Sequence, residues 1–182
     1  MKNLIIGLTA LVFMAAGPAP ADEGITPILK MDTTYQLVFG STFLEMTQFP
    51  GRNADTRWAL TWEGTVKGDL DGVIRWWVPF DFATGSFLGT GRWELWDCAP
   101  EYPIMCDYDN TDLLLMAGYD QFGYVSASDW KGKGIVTDAN EEYSGWLGHR
   151  ITDGGNVELF PDGFPCCGEG SFTIYDRPSN KH

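Results

Sequence analysis

Few side chains in this sequence could move a proton or hold a ligand. His149 is the only histidine outside the C-terminal tail, so a serine-type triad or a histidine-rich metal site has little to build on. It reads as an ordinary strand residue beside Arg150. In a site it would be a general acid or base on the face of Tyr143, Gly145 and Leu147. Glu63 and Glu94 each follow a tryptophan. If either pointed into an apolar interior, burial would raise its pKa and make it an acid or base; if it pointed outward, it would pair with Arg57 or Arg92. Asp107, Asp109, Asn110 and Asp112 group oxygens that could hold calcium, but without EF-hand spacing, and a solvated acidic loop is the simpler reading. Asp69 and Asp71 read as turn residues. No nucleophile motif is recognisable.

Four cysteines are the second resource. Cys98 and Cys106 flank an irregular acidic stretch, and Cys166 and Cys167 are adjacent. An even count in an exported chain points to two disulfides. The first pair could be tied to the second, or Cys98 could bond Cys106 within its own loop. A bond between Cys166 and Cys167 closes a strained ring and ranks last. The spacing matches no common zinc pattern, so neither a metal nor any other cofactor is expected.

The eight tryptophans are the most informative feature. With a side-chain period of two, Trp58, Leu60 and Trp62 share a face, as do Ile74, Trp76, Val78 and Phe80, and as do Gly89, Gly91, Trp93 and Leu95. The opposite faces carry Trp77 and Trp96 as well as Arg75, Arg92 and Glu94. Apolar bulk on both faces implies either a second layer outside or an exposed patch for a partner. The candidate ligand-binding residues are therefore Trp58, Trp62, Trp76, Trp93, Glu63, Glu94 and His149.

These residues must be positioned by strands. Short runs rich in Val, Ile, Thr and aromatics alternate with Gly, Asp and Asn turns, and almost no helix signal follows residue 21. The expected strands are 34–47, 56–67, 72–82, 87–97, 112–118, 123–128, 130–138, 143–153, 155–160 and 168–175. Turns are expected at 68–72 and 138–142 and at Asp153-Gly154-Gly155. The fold class is all-β: a single antiparallel up-and-down barrel of about eight strands, with a β-sandwich as alternative. Residues 1–21, with Lys2, an apolar run from Leu4 to Ala16, and Ala19 and Ala21, read as a signal peptide, leaving one domain over 22–182. The destination is secreted or periplasmic. A net charge of −13 does not suit nucleic acid or an anionic membrane.

Two stretches carry a family resemblance. Trp62-Glu63-Gly64-Thr65-Val66-Lys67-Gly68-Asp69-Leu70-Asp71-Gly72 places glycines on either side of a short hairpin. From Trp130 to Gly148, a strand with Gly132 and Gly134, a turn after Val136-Thr137 and a strand with Tyr143, Leu147 and Gly148 resemble the closing hairpin of the allene oxide cyclase-like barrel superfamily. The resemblance implies an eight-stranded barrel with an apolar lumen. It carries over no catalytic residue. The expected function is non-enzymatic binding of a small apolar or aromatic ligand in that lumen. The alternatives are a cyclase or isomerase of the same superfamily and a carbohydrate-binding module using outward tryptophans. Free volume in the lumen without an ionisable lining would favour the binder, and a buried carboxylate or histidine facing that volume would favour the enzyme.

Overall fold

A computed structural model describes residues 27–38, 46–48, 58–81, 86–87, 89–99, 106–125, 128–161 and 165–176. The strands in chain order are β1 (Pro27–Leu37), β2 (Met46–Gln48), β3 (Trp58–Gly68), β4 (Gly72–Asp81), β5 (Ser86–Phe87), β6 (Thr90–Trp96), β7 (Leu114–Tyr124), β8 (Asp129–Ala139), β9 (Arg150–Leu159) and β10 (Pro165–Tyr175). The eight long strands each pair antiparallel with the next, from β1–β3 through to β9–β10, and β10 returns to β1. The ring is a closed up-and-down barrel. β2 and β5 extend the outer ends of β3 and β4. The expected signal segment lies outside the described residues.

Alternation explains which residues turn inward. In β1, Met31, Thr33, Tyr35 and Leu37 are buried while Lys30, Asp32, Thr34 and Gln36 are exposed. Leu60, Trp62 and Val66 of β3, Ile74 and Trp76 of β4, and Trp93 and Leu95 of β6 face the same interior. The half of the barrel next to the β3–β4 hairpin is filled by side chains shut off from solvent. There the Trp93 ring meets Phe172 edge-on at 4.9 Å, among Met31, Ile74, Leu95, Met116, Ile151 and Ile174.

The outer face of β3, β4 and β6 is also covered. Trp77 and Trp96 are buried although they point outward. Tyr108, from the segment after Cys106, stacks edge-on against Trp96 at 5.3 Å. The Arg75 guanidinium lies 3.9 Å from the Tyr108 ring centre and 5.0 Å from that of Trp77. The expected second layer is thus a local cover, with Tyr108 as its visible wedge.

Several expected boundaries are corrected. The first strand begins at Pro27 and ends at Leu37, because its inner positions include Thr33, which hides the apolar alternation. The strands expected at 112–118 and 123–128 are one strand, β7, over Leu114–Tyr124, preceded by a 3-10 turn at Thr111–Leu113. Residues 143–149 form a turn with a 3-10 segment at Ser144–Trp146, so the proposed strand containing Tyr143 and Leu147 starts only at Arg150. Asp153-Gly154-Gly155 is no turn: β9 runs straight through it. These glycines serve close approach, since a Cβ on Gly155 would overlap the Glu169 carbonyl oxygen of β10. The 68–72 turn is as expected, with the Gly68 N–H donating to Asp71 at 3.0 Å and the Lys30 N–H donating to Asp69 at 2.8 Å.

Candidate functional site

Toward the end where β1, β4, β7 and β9 finish, packing gives way to a half-open cavity of about 50 Å³. Among the described residues its wall is Tyr35, Trp62, Trp76, Phe122 and Trp130 with Val78 and Val157, and one carboxylate, Asp120. Tyr35 stands among the three tryptophans, its ring 5.9 Å from Trp62, 5.8 Å from Trp76 and 5.9 Å from Trp130, edge to face in each case. The Tyr35 hydroxyl is held from both sides. It donates to the Asn156 carbonyl at 2.6 Å and accepts from the Trp130 indole N–H at 2.6 Å. With its polar tip secured, the cage offers ring surfaces rather than free hydroxyl groups to the cavity.

Asp120 of β7 does not stand alone. Across β8, Gly132 faces both Asp120's neighbour in the wall and Asp153 of β9, its registered partner. A Cβ on Gly132 would overlap Asp153 Oδ1 and lie 3.2 Å from Asp120 Oδ2. On the other side, a Cβ on Gly91 would come within 2.8 Å of Asp120 Oδ1. Two glycines on neighbouring strands therefore leave the space in which two carboxyl groups meet inside the barrel.

Both carboxyls are buried. Desolvation is the main influence on each. It pushes Asp120 up to about 6, against an ordinary 3.8, and raises Asp153 further because the Asp120 charge adds to the effect. Both carboxyls therefore hold a proton more readily than an ordinary aspartate, Asp153 more so than Asp120. Among the described residues, no basic group contributes to holding either carboxylate ionised. Asp120 Oδ1 and both Asp153 oxygens lack a well-aligned hydrogen bond among the described residues, and the Trp76 indole N–H is also unpaired.

The expected site residues separate. Trp62 and Trp76 line the cavity. Trp93 faces inward but is fully buried in the packed half and is not part of the cavity wall. The Trp58 side chain lies outside the described residues. Glu63 and Glu94 are not in the lumen, because each sits at an outward position of its strand. Glu63 pairs with Arg75 at 3.1 Å and Glu94 with Arg92 at 2.9 Å. Burial beneath the outer cover raises Glu63, against the opposing pull of Arg75. His149 is buried away from the cavity, its Nδ1 2.9 Å from the Tyr175 carbonyl and its ring against Trp146. Asp107 and Asn110 accept hydrogen bonds from the N–H groups of Asp109 and Asp112, so their oxygens shape the loop instead of converging on a cation.

Cys98 and Cys106 are bonded to each other within their own loop. Cys166 and Cys167 are not bonded, so the expected second disulfide is absent from the described residues. Sequence reasoning missed the aspartate pair. Asp120 follows Tyr119 in an apolar strand, and Asp153 opens an Asp-Gly-Gly run that imitates a turn. The one available signal was an acidic residue at an inward parity position on each strand. Comparison with family models, with curated proteins and with solved structures finds no match.

Proposed function

We propose that this barrel binds a small organic cation, an alkylammonium group, in the aromatic cavity. The observation that carries the reading is the Asp120 carboxylate, buried in a wall of aromatic rings with no basic partner among the described residues. A buried ionised carboxylate needs a compensating charge or donors. Aromatic faces attract cations, with about 0.5–2 kcal/mol per well-placed ring. A cavity of about 50 Å³ suits a compact head group and not a whole drug-sized molecule, for which about 300 Å³ or more is usual. This narrows the expectation of a neutral apolar ligand. The Cys98–Cys106 disulfide accords with an oxidising compartment, and the N-terminal apolar segment supports export to the periplasm or outside the cell.

Calorimetric titration with tetramethylammonium and with tert-butanol, a neutral molecule of similar shape, tests the reading. Saturable binding of the cation alone is expected. Equal binding of both would return the site to apolar ligands.

A second reading has its own support. Asp120, with the weaker hold on a proton, and Asp153, with the stronger, would be a base and an acid in one apolar site, the arrangement a cyclase or isomerase of the resembled superfamily would need. Turnover of an enolisable ketone with a pH–rate break near 6, lost in Asp120→Asn, would favour it. Trp62, Trp76, Trp77, Trp93 and Trp96 are all buried, so none of them forms the outward row that a sugar-binding module requires.

A further inference from the structure

Consecutive residues in a strand point to opposite faces. Two adjacent strand cysteines should therefore hold their sulfurs apart. Cys166 and Cys167 do not. The register of β10 on β9 slips between Pro165 and Cys167, so that Cys166 is an extra residue opposite Glu158. This bulge turns both side chains to one side. The two Sγ atoms lie 2.8 Å apart, Cys166 Sγ is 3.5 Å from the Glu158 carbonyl oxygen, and Cys167 Sγ is 3.6 Å from Glu158 Oε2. Both cysteines are partly exposed, within reach of another protein or a small thiol. Neither can exchange partners with the other pair in the fold. Cys98 follows β6 at the end away from the cavity, and Cys166 begins β10 at the cavity end.

We infer that Cys166 and Cys167 form a vicinal disulfide that opens and closes reversibly, a redox-modifiable site at the cavity end of the barrel. Reversibility follows from adjacency. Neighbouring Cα atoms are about 3.8 Å apart across a trans peptide, and unstrained disulfides span roughly 4.4–6.8 Å. The Cys98–Cys106 bond joins Cα atoms 5.6 Å apart, inside that range. Strain makes a disulfide easier to reduce.

The oxidant is a disulfide-bearing protein or small molecule. Cys166 Sγ attacks one sulfur of that disulfide and expels the other as a thiolate. Cys166 has by then lost its proton to solvent; Cys167 gives its proton to Glu158 and attacks Cys166 Sγ, releasing the second sulfur of the oxidant as a thiolate. One S–S bond forms here and one is broken there, two electrons pass to the oxidant, and its two thiolates take up one proton from solvent and one from Glu158. The Cys167 thiol is pushed up to about 12, first by its hydrogen bond to Cys166, which suits it to the second step rather than the first.

The test equilibrates the purified full chain in glutathione buffers of stepped ratio, quenches with alkylating agent and maps the peptides by mass. Cys166 and Cys167 are expected to lose two hydrogens together under oxidising buffer and to become doubly alkylated under mild reduction, while Cys98–Cys106 stays bonded throughout. Cys166→Ser and Cys167→Ser should each retain Cys98–Cys106 and instead form a mixed disulfide with glutathione at the remaining thiol. Full alkylation of both cysteines under oxidising buffer overturns the inference. So does opening of both bonds at the same ratio. Protection from alkylation with the added mass of a metal ion would also overturn it, assigning the thiols and Glu158 to a thiophilic cation.

Discussion

At the level of single residues, the molecule separates two kinds of carboxylate by what faces them. Glu63 and Glu94 meet arginines on the outer face, whereas Asp120 and Asp153 meet each other inside. Asp120→Asn should weaken alkylammonium binding by on the order of tenfold to a hundredfold, the usual loss when the buried partner of a charged group is removed. Trp76→Leu should weaken it between about twofold and about thirtyfold, the range of a single cation–ring contact. In the unaltered protein, affinity should rise with pH through about 6 as Asp120 ionises, measured by titration at stepped pH. Stability should move the other way. Both carboxyls have folded-state pKa values above the unfolded 3.8, so the folded chain holds more protons than the unfolded chain above that pH. Their contribution is then greatest in acid and declines as pH rises from about 4 through the folded values. Asp153→Asn keeps the shape, removes one titration and should flatten that decline in chemical denaturation series run from about pH 4 upward.

At the level of strands, glycines make the site possible. Gly132 on β8 lies where Asp153 and Asp120 approach. Gly132→Ala should destabilise the fold by about 1–3 kcal/mol, as overpacking of a filled interior does, and should lower cation affinity by displacing the pair. Denaturant midpoints and titration of the same variant check both. If stability falls and affinity does not, the pair does not shape the cavity. The Gly154-Gly155 stretch shows how a strand can be misread. Glycine supplies positive φ in turns, yet in β9 it supplies only room for the neighbouring strands, and nothing local distinguishes the two uses.

At the level of the whole molecule, closure is the central fact. β1 pairs with β3 on one side and β10 on the other, so it is the strand that joins the first and last parts of the chain. Removing residues 27–37 would leave β3 and β10 as open edges. The truncated chain is expected to lose its cooperative unfolding transition and to self-associate in sedimentation, whereas a sandwich-like tolerance of the loss would contradict the importance of closure. The Cys98–Cys106 bond adds a local constraint at the far end, where Tyr108 is laid over Trp96 and Arg75.

Alternation, turn chemistry and aromatic content were legible along the chain without coordinates. They determined an all-β fold, the inward faces of β3, β4 and β6, and the inward Trp62 and Trp76, because a period of two is a local property of the backbone. The pairing of Cys98 with Cys106 was one of several open choices, since loop closure in sequence does not reveal spatial distance. The aspartate pair was invisible for a related reason. Asp120 and Asp153 lie on strands separated by β8, and only barrel closure and the space at Gly132 bring their carboxyls together. Tertiary structure likewise decided that Trp93 is core while Trp76 is cavity wall, because that depends on how completely the strands opposite fill the interior at each level of the barrel.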